Sequence, residues 1–131
     1  MPKRILVVDD SPSVRKVVCG LLALRGFSVC GEAGDGAQAI EKAKEMRPDM
    51  IVLDFAMPVM DGIRAATVLK QIMPHVPLVL FTAHDSSALA TEALAAGITA
   101  VVSKEDSSAL VSKAHELLSQ AEARLAWKEV L

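Results

Sequence analysis

Several apolar runs of the chain end in acidic, hydroxyl or basic side chains that could do chemistry together. The candidates are Asp9, Asp10, Asp54, Thr82 and Lys104. Carboxylates gathered in one place repel one another, by about 4 kcal/mol for a like-charged pair roughly 4 Å apart near a protein surface. A hard cation offsets this repulsion, and a few carboxylates with open coordination positions suit Mg²⁺ better than a closed calcium cage. A carboxylate beside Mg²⁺ and a lysine can attack a phosphoryl group and hold it as an aspartyl phosphate, whose oxygens need positive charge and hydrogen-bond donors.

The apolar runs before these side chains are predicted to be buried strands of a parallel sheet. A continuous apolar run bounded by turn signals suits a strand that is buried on both faces. Five such runs alternate with helical patterns and short loops, which favours a doubly wound α/β fold with helices on both sides of the sheet. The second run, residues 27–32, alternates apolar and polar residues and therefore suits an edge strand. An edge position for the second strand is compatible with the order 2-1-3-4-5, one of the common orders of doubly wound sheets.

Local signals place the helices beside the candidate site. Ser11-Pro12 predicts an N-cap serine followed by proline in the first helical turn. Asp61-Gly62 predicts a second N-cap. In the first helix the apolar residues recur at helical spacing, so Arg15 and Lys16 are placed on the outer face.

The carboxyl ends of parallel strands lie at one edge of a sheet, so the candidate side chains are expected to meet at the switch point where open sheets bind ligands. Each one alone has a plainer explanation. Asp9-Asp10 could serve a helix dipole, Thr82 could simply end a strand, and Lys104 could be a solvated surface lysine. Their joint occurrence at successive strand ends favours a site.

On these residues the chain resembles the receiver domains of bacterial response regulators, over roughly residues 3–118. The matching motifs are Asp9-Asp10, Asp54-Phe55-Ala56-Met57-Pro58-Val59-Met60-Asp61-Gly62, Thr82-Ala83 and Lys104. The resemblance implies the receiver fold with strand order 2-1-3-4-5. It also implies a signalling switch that catalyses only its own phosphorylation and dephosphorylation, and not an enzyme that processes a metabolite.

The resemblance also assigns a role to each matching residue. A histidine kinase would donate a phosphoryl group to Asp54. Asp9, Asp10, Asp54 and the backbone carbonyl of Ala56 would hold Mg²⁺, directly or through water. Thr82 and Lys104 would contact the bound phosphoryl group and couple it to the surface of the fourth helix, fifth strand and fifth helix.

Two positions depart from the common receiver pattern. Val101 stands where many receivers carry Tyr or Phe, so the inward swing of an aromatic ring is not expected to be the switch here. This leaves open a receiver that acts by protein binding without phosphorylation. Glu105 stands where many receivers carry proline, and the run Lys104-Glu105-Asp106 resembles receivers attached to helix-turn-helix DNA-binding domains. Such an output domain is an expected partner if the chain is part of a longer protein.

Two other functional classes are weaker interpretations. A haloacid-dehalogenase-like phosphatase requires a second Asp two residues after its nucleophile, whereas Asp54 is followed by Phe55-Ala56. A flavodoxin-like cofactor binder would suit the fold. However, no Ser/Thr-rich loop follows the first strand, and the carboxylates would repel a phosphate unless a metal intervened.

Composition predicts a single domain with an aliphatic core, since 52% of the 131 residues are hydrophobic and 3% are aromatic. The net charge of -2 offers no basic surface for direct nucleic-acid binding. No apolar run approaches the length of a membrane span or of a signal peptide, and Cys19 and Cys30 lack metal-site spacing. These features predict a cytoplasmic protein with reduced thiols.

The C-terminal end is predicted to extend beyond the domain. A helix from Ser107 to Leu131 would be about 37 Å long, whereas a typical strand spans about 17–20 Å. Residues 1–118 are therefore interpreted as the receiver domain and residues 119–131 as a C-terminal helical extension or linker. A frayed end, a connection to an output domain and a homodimer helix remain alternatives.

Overall fold

Parallel strands and helices alternate along the whole of the computed structural model, which describes residues 1–84 and 86–130; residue 131 of the predicted extension lies outside them. The strands are β1 (Arg4–Val8), β2 (Ser28–Ala33), β3 (Met50–Leu53), β4 (Leu78–Thr82) and β5 (Ala100–Ser103). The helices are α1 (Pro12–Leu24), α2 (Gly36–Met46), α3 (Gly62–Ile72), α4 (Ser87–Ala95) and α5 (Ser107–Val130). The sheet order is β2-β1-β3-β4-β5 and every pair is parallel. The predicted fold class and strand order are confirmed.

The core has one apolar layer on each face of the sheet. Successive side chains of a strand point to opposite faces, so Val52 packs on the side of α1 and α5, whereas Ile51 and Leu53 pack on the side of α2, α3 and α4. This two-sided burial explains why β1, β3 and β4 are almost continuous apolar runs, whereas the edge strand β2 is not. Cys19 and Cys30 are free and pack on opposite faces of the sheet.

Capping side chains fix the start of the helices next to the carboxyl edge of the sheet. Ser11 Oγ accepts a hydrogen bond from the Val14 amide at 3.3 Å, at the start of α1. Asp61 Oδ1 accepts one from the Arg64 amide at 2.8 Å, at the start of α3. Both predicted N-caps are confirmed, and they satisfy amides that have no partner inside the helix.

The fifth strand begins later than the apolar pattern predicts. The apolar run in the sequence predicts a fifth strand over residues 98–102, but β5 starts at Ala100. The Ile98 amide donates instead to the Ala93 carbonyl at 3.0 Å, and Gly97 has a φ of +100°. These features form the C-terminal cap of α4. Because the Ile98 amide belongs to this cap, the strand begins only after it.

The loop between β3 and α3 contains a tight turn under backbone strain. The Met60 amide donates to the Pro58 carbonyl at 2.7 Å, and Val59 between them has a φ of 69°. This is a γ-turn with positive φ, an unfavourable conformation for a β-branched residue. The Met60 carbonyl in turn accepts the Gly36 amide at 3.0 Å, so the loop is tied to the start of α2.

The C-terminal helix leaves the domain surface before it ends. Leu117 and Leu118 are buried, Ala121 is half-buried, and residues 122–129 are exposed. The exposed part includes Trp127, which is 64% accessible to solvent. None of the helices in the described ranges is both long and apolar enough to cross a membrane.

Candidate functional site

Asp54 lies at the carboxyl end of β3 with its side chain 7% exposed. Its amide donates to the Val8 carbonyl of β1 at 2.9 Å, which continues the ladder between the two strands. On the other side, Gly62 at the start of α3 packs against the Asp54 backbone. A Cβ at position 62 would lie 2.1 Å from the Asp54 carbonyl oxygen. The backbone of Asp54 is therefore held between a strand and a helix start.

Three carboxylates meet at the switch point between β1 and β3. Asp9 and Asp54 are buried and Asp10 is exposed, and each offers an oxygen within 4.8 Å of the other two. Hard oxygen donors at one open edge suit Mg²⁺. Ala56, whose backbone carbonyl was the further predicted ligand, occupies an exposed position two residues after Asp54.

Lys104 reaches into this acidic cluster from the end of β5. Its Nζ lies 2.6 Å from Asp9 Oδ2 and 3.2 Å from Asp54 Oδ1. The lysine side chain is 20% exposed, so the pairs are screened from solvent more than a surface pair would be. In this geometry Lys104 bridges two of the carboxylates and offsets their repulsion.

The surroundings of Asp54 and Lys104 raise the pKa of both groups. The pKa of Asp54 is raised, chiefly because burial disfavours the charged carboxylate and also because the Asp9 charge is close, and these effects exceed the opposing influence of Lys104. Burial by itself lowers the pKa of the Lys104 ammonium, but its contacts with Asp9 and Asp54 outweigh burial and leave that pKa raised. Lys104 therefore remains a cation at neutral pH, while the buried Asp54 carboxylate is more basic than an ordinary aspartate.

Thr82 ends β4 beside the cluster and is fully buried. Its Oγ1 accepts a hydrogen bond from the His84 amide at 3.0 Å, so the hydroxyl hydrogen can donate to another acceptor. The Thr82 carbonyl accepts the Lys104 amide at 2.9 Å. The loops that lead into α4 and α5 are thus joined at the site by their backbone.

Arg15 is a contact of the site that sequence analysis missed. Its predicted position on the outer face of the first helix is wrong, because its guanidinium turns back and donates to the Asp9 carbonyl at 2.6 Å. The Ser11 amide also donates to Asp9 Oδ1, at 2.9 Å. A basic residue in the first turn of the helix that follows an acidic pair, with Glu32 near the end of the edge strand, was the available signal.

Comparison with known proteins agrees with this geometry. Residues 5–115 match the family model of the response regulator receiver domain. The chain is 40% identical over 97 residues to the chemotaxis protein CheY of Bacillus subtilis, which covers 74% of this chain and 81% of that protein.

Solved structures show the same fold. A two-component response regulator of the LuxR family from Aurantimonas sp. SI85-9A1 superposes with a TM-score of 0.87 at 31% identity, over 100% of both chains. A chain of the CheX-CheY-BeF3-Mg²⁺ complex from Borrelia burgdorferi superposes with a TM-score of 0.85 at 25% identity, over 89% of this chain and 90% of that one.

Proposed function

The chain belongs to the response regulator receiver domain family of two-component signalling, and from this premise we propose that it is a phosphorylation-dependent switch. The observation that carries the proposal is the contact of Lys104 with Asp54 and Asp9, within a cluster of three carboxylates at the carboxyl edge of the sheet. In this proposal the chain acts in the cytoplasm, its partner is a histidine kinase, and it processes no metabolite.

Asp54 is the proposed acceptor of the phosphoryl group. A carboxylate oxygen forms a bond to phosphorus while the bond between phosphorus and the kinase histidine nitrogen breaks, and the electron pair of that bond leaves with the imidazole. In the metal-free protein burial raises the pKa of Asp54, so its carboxylate is more basic than an ordinary aspartate. Its fixed backbone keeps the carboxylate in place for this attack.

Asp9, Asp10, Asp54 and the Ala56 carbonyl would hold Mg²⁺ at this edge. When bound, the ion supplies positive charge to the phosphoryl oxygens. The spacing of the three carboxylates supports this assignment, as does the likeness to a chain solved in a complex that contains Mg²⁺. Lys104 donates to Asp9 Oδ2, so the lysine and a cation would share that carboxylate.

Thr82 and Lys104 are proposed to carry the state of Asp54 to the surface formed by α4, β5 and α5. The Thr82 hydroxyl and the Lys104 ammonium can both turn toward phosphoryl oxygens, and each is next to a loop that leads into α4 or α5. The hydrogen bond from the Lys104 amide to the Thr82 carbonyl joins the two loops, and in this proposal a displacement of one is passed to the other.

Intact mass spectrometry with a small acyl phosphate as donor tests the phosphoryl transfer. We expect the wild-type chain to gain one phosphoryl group in a reaction that needs Mg²⁺, and Asp54→Asn to gain none. Asp61→Asn is the matched control, because it makes the same chemical change in the same loop and asparagine still caps α3. Full labelling of Asp54→Asn would contradict the assignment, and an unlabelled wild type would favour a receiver that acts by binding alone.

Amide chemical shifts test the coupling. Thr82→Ala should still accept the phosphoryl group but should lose most of the shift changes that phosphorylation causes in α4. Thr91→Ala, which alters an exposed threonine of α4 itself, should keep them. Equal shift changes in both variants would contradict a role for Thr82.

We propose that residues 1–118 form the receiver unit and that residues 119–131 extend it toward an output domain or a second copy of the chain. The exposure of residues 122–129 supports this division. The Lys104-Glu105-Asp106 run and the likeness to a LuxR-family regulator support a DNA-binding output. Light scattering on the full chain and on a truncation after Leu118 would test self-association. If both forms have the same oligomeric state in solution, the homodimer role is excluded.

A further inference from the structure

Arg15 of α1 is a basic side chain held by two contacts beside the acidic pair. Its Nη1 donates to the Asp9 carbonyl at 2.6 Å, and its Nε lies 3.2 Å from Glu32 Oε1 at the end of the edge strand β2. The side chain is 20% exposed. The guanidinium of this α1 residue therefore contacts both β2 and the loop that follows β1, next to the candidate metal ligands.

The polar atoms of Asp9 are all engaged in hydrogen bonds. The Asp9 amide donates to the Ala33 carbonyl at 3.1 Å, Oδ1 accepts the Ser11 amide at 2.9 Å, and Oδ2 accepts Lys104 Nζ at 2.6 Å. Arg15 holds the remaining atom, the carbonyl oxygen. Because a peptide group is planar, holding that carbonyl fixes the orientation of the whole peptide that joins Asp9 to Asp10.

A role for Arg15 in stability alone does not account for this arrangement. The Arg15–Glu32 pair is half-open to solvent on the glutamate side, at 51% exposure, and such pairs contribute about 0.2–1 kcal/mol. The pair does align the guanidinium, whose planar fork presents donors in fixed directions. With its Nε held by Glu32, the guanidinium directs Nη1 toward the Asp9 carbonyl.

We propose that Arg15 is a positioning residue of the metal site, which fixes the Asp9–Asp10 peptide and is itself aligned by Glu32. The inference rests on the proposed Mg²⁺ site. This proposal and a purely electrostatic role of Arg15 predict opposite changes in Mg²⁺ affinity when Arg15 is removed. A nearby positive charge repels Mg²⁺, so its removal would tighten binding if charge were all that Arg15 supplied. If Arg15 orients the two carboxylates, its removal weakens binding.

Calorimetric titration of the full chain with Mg²⁺ separates the two roles. Loss of a group that orients metal ligands typically lowers metal affinity by about 10–100-fold, and we expect a loss of about 10-fold for Arg15→Gln. Arg15→Lys keeps the charge but lacks the fork, so it should recover only part of the affinity. Lys16→Gln removes the neighbouring exposed charge and should leave the affinity within about twofold, because solvent and salt screen it. Unchanged or tighter binding by Arg15→Gln overturns the inference.

A second measurement needs no metal. In ¹⁵N-labelled protein without Mg²⁺, Arg15→Gln should shift the Asp10 amide resonance, since its peptide loses the hydrogen bond on the carbonyl, whereas Lys16→Gln should not. An unmoved Asp10 resonance overturns the inference even if affinity falls. A wild-type chain that binds no Mg²⁺ would overturn the proposed metal site, and the Asp10 shift would still decide whether Arg15 holds the peptide. If Arg15→Gln does not fold, Arg15→Lys provides both readouts.

Discussion

Replacing Lys104 with methionine should destabilise the metal-free protein more than the loss of any surface lysine. The lysine bridges Asp9 and Asp54, at 2.6 and 3.2 Å, and both carboxylates are buried. Methionine keeps an apolar stem of similar length but leaves the two carboxylates to repel each other without a partner. The stability of the protein then records how much the bridge offsets that repulsion.

The size of the effect follows from the burial of the pair. Removing one partner of a buried ion pair costs about 3–5 kcal/mol, and we expect about 3 kcal/mol because solvent partly screens the lysine. An unfolding entropy of about 2.1 cal/mol/K per residue gives about 0.28 kcal/mol/K for 131 residues. The Tm of Lys104→Met should therefore fall by about 10 °C near neutral pH.

The pH dependence has a definite sign. The pKa of Lys104 is raised in the folded state, so its contribution is fully present below about pH 10 and is lost as the pH rises through the folded pKa. The pairs also need ionised carboxylates, and the pKa of Asp54 is raised. The difference between wild type and Lys104→Met should thus be largest near neutral pH and should shrink toward about pH 4.

Thermal unfolding followed by circular dichroism, in buffer with a chelator, measures this difference. Lys113→Met is the matched control, because Lys113 pairs with Glu116 at 3.0 Å on the surface and should contribute no more than about 0.5 kcal/mol. Adding Asp9→Asn to Lys104→Met should restore part of the lost stability by removing one of the repelling charges. A Tm equal to that of Lys113→Met, or a loss that does not change with pH, would refute the reasoning.

Further substitutions test the site and the elements around it. Asp54→Asn should raise the Tm of the metal-free protein at neutral pH, because burial disfavours the charged form, and the gain should vanish below about pH 4; a lower Tm at neutral pH contradicts this. Gly62→Ala places a Cβ 2.1 Å from the Asp54 carbonyl oxygen and should cost about 1–3 kcal/mol in chemical denaturation. Gly20→Ala, whose new methyl group would meet nothing within 4 Å beyond its chain neighbours and the backbone of its own helix, should instead stabilise α1 by up to about 1 kcal/mol. Val59→Gly should gain about 0.5–1 kcal/mol, since glycine adopts the φ of 69° freely but loses more chain entropy; no gain over Val59→Ala would argue against strain in the turn.

The fold was predictable because burial on both faces leaves a simple trace in the sequence. The run from Met50 to Leu53 has no polar position, which only a strand covered on both sides tolerates, and the structure buries all of it. The ends of helices were equally local, since Ser11 and Asp61 cap helices through amides three residues away. The meeting of Asp9 and Asp54 then followed from the parallel arrangement of strands.

The contacts of long side chains were not predictable in this way. Arg15 lies six residues after Asp9, on a helix whose periodicity places it outward. Its side chain is oriented instead by Glu32, which is 17 residues away on β2. The start of β5 was also predicted too early, because the Ile98 amide bonds to the end of α4. In each case a tertiary partner overrides a local pattern, and the position of that partner is known only once the chain has folded.

In the proposed switch, the arrangement of Lys104 provides a connection that needs no aromatic switch residue. Val101, at the position where many receivers carry a ring, is half-buried against the core on the α4 side of the sheet and cannot make a large swing. Lys104, by contrast, joins Asp9 across 95 residues of sequence and bonds through its amide to the Thr82 carbonyl. If Asp54 accepts a phosphoryl group as we propose, its change of charge would alter the contacts of this lysine. Because the Lys104 backbone is bonded to Thr82, that change would reach the loops before α4 and α5 through the chain and one hydrogen bond, without a further side chain.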